Sequence, residues 1–166
     1  MADVITMIHV LAAILLLGPV TVAISMFPRL ALAARGGEAG TIGAARTMHA
    51  ITRSYGMWSL IVPLLGFGVM FADLDRYVRS GALHASILLA VIAWAVLFFL
   101  VIPRQKLMMA GLGVADADED PNDPNFIERQ KKAQGLDWDK QKSQLAMFSG
   151  IFALLWVVVG VLMFYV

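Results

Sequence analysis

The sequence predicts an all-α integral membrane protein: a four-helix bundle, both termini outside, with a long cytoplasmic connection between helices three and four. Three observations lead there. Four long apolar runs, at residues 4–27, 55–72, 82–102 and 145–166, contain no Asp, Glu, Lys or Arg. About 18 consecutive apolar residues are enough to cross a ~30 Å hydrocarbon layer as a helix. The chain is also 60% hydrophobic and only 15% charged, whereas soluble domains are roughly one quarter charged. Finally, eleven of the thirteen Lys and Arg residues fall in two connections that must share one side of the membrane. The positive-inside bias makes that side the cytoplasm.

The first run follows Met1, Ala2 and Asp3 with no basic residues ahead of it, and it is too long for a signal-peptide core. It reads as a retained span. Backbone groups in lipid must bond within their own segment, so each run is expected to be helical. Pro19 and Pro28 each remove a backbone donor, and a kink is expected near Pro19. Residues 29–35 continue the helix until Gly36 and Gly37 end it. A second helix restarts at Thr41 and runs into the second span, which Pro63 bends. The opposite side carries only Arg76 and Arg79. Pro103 follows the third span, and a short basic-apolar stretch leads to Leu112.

The cytoplasmic segment, about 103–144, is the only substantial polar stretch. Asn125 with Glu128 suits a capping-box helix start, and a further helix is expected to restart near Asp137 and enter the fourth span. That span runs on to Val166, so no C-terminal domain is expected, and residues 1–166 read as one domain.

Composition excludes several classes. A net charge of +1 points to no nucleic-acid partner, and without cysteine there is no thiolate chemistry. The acidic run that starts at Asp116 fails as an EF-hand, because Pro121 and Ile127 occupy the glycine and glutamate positions; a solvated loop is expected there. No charged residue lies mid-span, where proton relays and ion carriers need one. Nor do paired broken helices mark a transporter. The glycine pairs 66/68 and 111/113 lack the rest of a nucleotide fingerprint and read as packing and loop positions. The methionines do not cluster as a copper motif, and no catalytic constellation or metal site is expected.

His9 and His84 sit at similar depth near the outer ends of spans one and three. Two readings stand for them. Each bonds a backbone carbonyl or water at the interface, or the two grip haem iron between facing helices. His49, at the cytoplasmic end, belongs to neither pairing. Tyr55, Trp58 and Trp138 are expected at the cytoplasmic interface, and Tyr77 and Tyr165 at the outer one. Trp94 and Trp156 are expected against packed protein with their indole N–H groups satisfied. Ser149, Ala153 and Gly160 form a small-residue face on span four that serves either internal packing or docking of another subunit.

The stretch from Ile8 and His9 through Ala13, with Gly18 beyond, resembles the first helix of small bacterial four-helix membrane proteins of unknown function. These are related to the copper-resistance D proteins and membrane-type protoporphyrinogen oxidase. Phe27-Pro28-Arg29-Leu30 is similar to the sequence that closes that oxidase's first helix. The resemblance implies a haem role for His9. The oxidase's third-helix lysine has no counterpart here, His84 being the nearest polar group, and its tryptophan before the first-helix glycine is absent. In size and span number the chain also looks like an accessory membrane subunit of an actinobacterial respiratory bc–oxidase supercomplex. The expected function is a non-catalytic accessory or assembly subunit in a bacterial plasma membrane, with other integral membrane subunits and the bilayer as partners. The alternative is a haem-binding oxidoreductase using His9 and His84.

Overall fold

The computed structural model describes residues 2–72, 74–77 and 79–166, and the Arg76 side chain lies outside the described set. The described residues contain no strand. The helices are α1 (Ala2–Arg35), α2 (Thr41–Trp58), α3 (Ile61–Ala72), α4 (Leu74–Tyr77), α5 (Gly81–Ala95), α6 (Ile102–Gly111), α7 (Pro124–Gln134) and α8 (Trp138–Met163), with a π-helical segment at Val96–Val101. They combine into four helices long and apolar enough to cross a membrane: Val4–Arg35, Thr41–Phe71, Gly81–Gly111 and Trp138–Met163.

These spans extend beyond the apolar runs, always toward the basic end. Polar residues at that end turn inward and are satisfied, so the helices continue past the hydrophobic stretch. α1 is unbroken through Pro19 and Pro28. Gly37, with φ of 82°, ends it: its N–H donates to the Ala34 carbonyl and that of Glu38 to Ala33, the two bonds of a Schellman cap. α2 starts at Thr41 as expected. Its junction with α3, at Ser59 and Leu60, lies one turn before Pro63, whose missing N–H cannot bond the Ser59 carbonyl. α7 is capped by Asp123, which accepts from the Asn125 N–H at 2.7 Å, rather than by Asn125. Pro124 favours this start because its fixed φ suits the first helical position. Asp137 caps α8, accepting from Lys140 N–H at 3.0 Å.

The third span does not stop at Pro103. It passes through the π segment and continues to Gly111. Its buried positions Ala93, Leu97, Val101 and Gln105 recur every four residues. In a regular α-helix that spacing would swing the last of them about 120° off the first. The wider π turn takes up much of that drift. It thereby keeps Gln105 on the inward face that Leu97 and Val101 already occupy.

α1 packs on α2, α3 and α8; α5 packs on α8, and α2 on α6. The core lies in the basic half: Leu17, Val20, Ile24 and Phe27 of α1 meet Trp94, Leu97, Val101 and Met108 of the third span and Leu145 and Phe152 of α8. Trp94 donates to Ser59 Oγ at 3.0 Å and meets Trp156 edge-on at 5.3 Å. The indole N–H of Trp156, expected to be satisfied, meets no acceptor among the described residues. Trp138 is buried within the chain. It is 5% exposed, beneath the Arg35 guanidinium at 5.0 Å.

Ser149 faces inward too. Its hydroxyl donates to the Ile24 carbonyl of α1 at 2.8 Å. Pro28 has no N–H to offer that carbonyl, so α8 supplies the donor that α1 lacks. The small-residue face of α8 is therefore internal at Ser149, half-buried at Ala153 and exposed at Gly160.

Candidate functional site

One face of α2 carries Thr41, Ala45, His49, Thr52 and Gly56, all buried. Their spacing of three and four residues makes a single stripe. At its centre His49 is 3% exposed, with the Phe27 ring centroid 6.1 Å away. His49 Nδ1 lies 3.0 Å from Gln105 Oε1, and Nε2 lies 2.9 Å from Asp116 Oδ1. The orientation of Gln105 is fixed from behind. Its amide N–H points to Thr52 Oγ1 at 3.4 Å, and that hydroxyl donates to the Met48 carbonyl. Both imidazole nitrogens thus face oxygens of the cluster.

Asp116 is the hub. Its side chain is 6% exposed, and its second oxygen lies 2.9 Å from Arg53 Nη1 and 3.0 Å from Lys106 Nζ. Burial alone would raise its pKa, but the His49 hydrogen bond and the Lys106 ammonium outweigh that and hold the carboxyl well below the usual carboxylate range. Arg53 also grips Asp118 with two hydrogen bonds of 2.8 and 2.9 Å, which lower that carboxyl to about 2. Glu119 pairs with Arg129 of α7. The acidic run is therefore only partly the solvated loop its composition suggests. Three of its acids tie the connection back onto α2, α6 and α7.

Chemically, the cluster is a clamp. Both nitrogens of His49 are engaged, so neither is presented to a substrate as a free base. Beside the clamp, a cavity of about 680 Å³ opens between α2 and the π–α6 segment. Arg46, Arg53 and Lys106 line it together with Met57, Trp58 and Phe98.

The two outer histidines are placed separately. His9 is half-buried and donates from Nδ1 to the Val62 carbonyl of α3 at 3.0 Å. Its ring lies over Gly66, where an added Cβ would come within 3.1 Å of Cε1. His84 is exposed and donates from Nδ1 to the Ser80 carbonyl of its own helix at 2.8 Å. α1 packs chiefly on α2, α3 and α8, and α5 chiefly on α8. Each imidazole has its carbonyl partner through Nδ1, and neither Nε2 meets a partner among the described residues. An imidazole oriented by a carbonyl through one nitrogen is how a metal-ligating histidine is usually held. The donor set at His9 thus fits one axial ligand of a haem. Among the described residues, no group of three His, Asp or Glu could hold a metal ion.

The chain matches no known family, no curated protein and no solved structure.

The clamp residues His49, Arg53, Gln105, Lys106 and Asp116 were not singled out by the sequence. One signal was available: the stripe of small and polar residues on α2, which is the inward face of an amphipathic helix rather than a solvated one.

Proposed function

We propose that this chain is a non-catalytic accessory or assembly subunit of a larger bacterial membrane complex. The respiratory bc–oxidase supercomplex is the candidate that its general likeness suggests. The observation that supports the reading is the clamp. The most densely bonded polar cluster is spent on holding the connection at residues 112–123 against the helix ends. That gives α7 and the connection a fixed shape, as a surface for a neighbour requires, and engages both ring nitrogens of His49. In this reading the spans form a four-helix bundle in the plasma membrane, with both termini outside and the clamp in the cytoplasm.

Purification in mild detergent should recover the chain at fixed stoichiometry within a larger assembly. A monodisperse, self-contained and active preparation would count against the proposal. A second reading rests on His9: its Nδ1 is anchored and its Nε2 free, as a haem ligand would be. The same preparation decides between them, because a Soret band that travels with this chain alone and is lost in His9→Ala would favour haem binding.

Sidedness is tested separately. Cysteines introduced at the exposed Arg79 and Asn122 positions should label from opposite membrane faces, with Asn122 inside. Labelling of both from one face would overturn the topology.

A further inference from the structure

The cavity beside the clamp has a polarity gradient. α2 presents Arg46, Ala50, Ser54 and Met57 along one wall, at spacings of three and four residues. Phe98, Ile102 and Lys106 face them from the third span. The chain runs about 18 Å along α2 from Arg46 to Trp58. Cations stand at one end of this path, and Met57, Trp58 and Phe98 at the other. Both walls belong to helices long and apolar enough to span a membrane. The head of the furrow is not neutralised. Asp116 and Asp118 are engaged by His49, Arg53 and Lys106, whereas Arg46 is exposed and makes no ion pair among the described residues. Arg46, Ala50 and Ser54 also line a shallower hollow of about 400 Å³ on the outer side of α2, together with Tyr55. Two small side chains thus leave a trough below a free guanidinium.

We infer that this furrow is a binding site for an anionic phospholipid, its phosphate on Arg46 at the basic end and an acyl chain laid along Ala50, Ser54, Met57 and Phe98. A neighbouring protein helix would need no cation at one end of an otherwise apolar path, and a soluble anion would need no apolar path. A lipid uses both, and basic pockets between spans are where anionic headgroups settle. This inference requires only that the helices cross a membrane; it is independent of the accessory-subunit reading.

The test uses the full chain in nanodiscs of phosphatidylcholine doped with phosphatidylglycerol, with retained lipid counted by native mass spectrometry. The wild-type chain should retain phosphatidylglycerol in preference to phosphatidylcholine. Arg46→Gln should reduce that preference about fivefold, the equivalent of about 1 kcal/mol for one cation at the membrane surface. Ala50→Trp, at an exposed position, fills the trough and should abolish retention, while circular dichroism confirms that its helices are intact. Arg29→Gln, an exposed cation outside the furrow, should leave retention unchanged. Equal retention of both lipids would overturn the inference, as would an equal loss in Arg29→Gln. Displacement by inorganic phosphate would also overturn it, because the site would then take a free anion.

Discussion

Asp116→Ala should lower the stability of the folded chain by about 2–3 kcal/mol, read from thermal unfolding in detergent. The change removes the carboxylate that His49, Lys106 and Arg53 share, with 4%, 30% and 32% of those side chains exposed, and leaves Arg53 with Asp118 alone. Removing one partner of a fully buried pair costs roughly 3–5 kcal/mol, because the remaining charge stays desolvated. Here Lys106 and Arg53 can turn toward water, which reduces the cost, whereas His49 cannot. Asp116→Asn keeps the shape and loses only the charge, so it isolates the electrostatic part. The Asp116 carboxyl is held below its ordinary range, so its ionised form favours the folded state. That contribution is complete above the unfolded value of about 4 and declines as pH falls toward the folded one. The gap in unfolding temperature between wild type and Asp116→Asn should therefore narrow as the pH falls through the acid range toward the folded value. An Asp116→Ala chain that unfolds with the wild type would show that the clamp does not stabilise the fold.

Ser149→Leu should be still more damaging, at about 3–4 kcal/mol. Ser149 is 2% exposed, so the added carbons enter a closed packing layer, which costs roughly 1–3 kcal/mol. The Ile24 carbonyl also loses its donor, and a buried acceptor left without one costs about 1–3 kcal/mol more. Ser149→Ala separates the two effects, since it removes the hydroxyl without adding bulk. Its cost should depend on residue 28. In a Pro28→Ala background the restored N–H can bond the Ile24 carbonyl within α1, and Ser149→Ala should then cost only a few tenths of a kcal/mol. An equal cost in both backgrounds would mean that the hydroxyl is not compensating for the proline.

The parts of this fold that follow from hydropathy were legible: four spans, their order, and helix ends at Gly36–Gly37 and Asp137. What hydropathy misses begins where the helices leave the apolar runs. Thr41 through Ser54 and Arg104 through Gly111 mix charged and apolar residues, and nothing local shows that His49 and Gln105 turn inward. Their partners lie 56 and 67 residues apart in sequence, for Gln105 and Asp116 respectively. Asp116 has the same composition around it as Asp118 and Asp120, yet its side chain is 6% exposed and that of Asp118 69%. Only the third dimension distinguishes them. The passage of the third span through Pro103 was hidden for another reason. A proline after an apolar run ordinarily ends a helix, and the π turn that carries the chain through has no sequence signature of its own.

The bond between Ser149 and the Ile24 carbonyl also sets an order of events during synthesis. The two residues are 125 positions apart. At roughly 5–20 residues per second, a ribosome takes about 6–25 s to span that interval. Throughout it, the first helix is already made, with an unsatisfied carbonyl opposite Pro28, and its natural donor has not been translated. The Ile24 carbonyl gains this donor only once α8 has been made. A nascent chain stalled before Ser149 therefore carries its defect in α1.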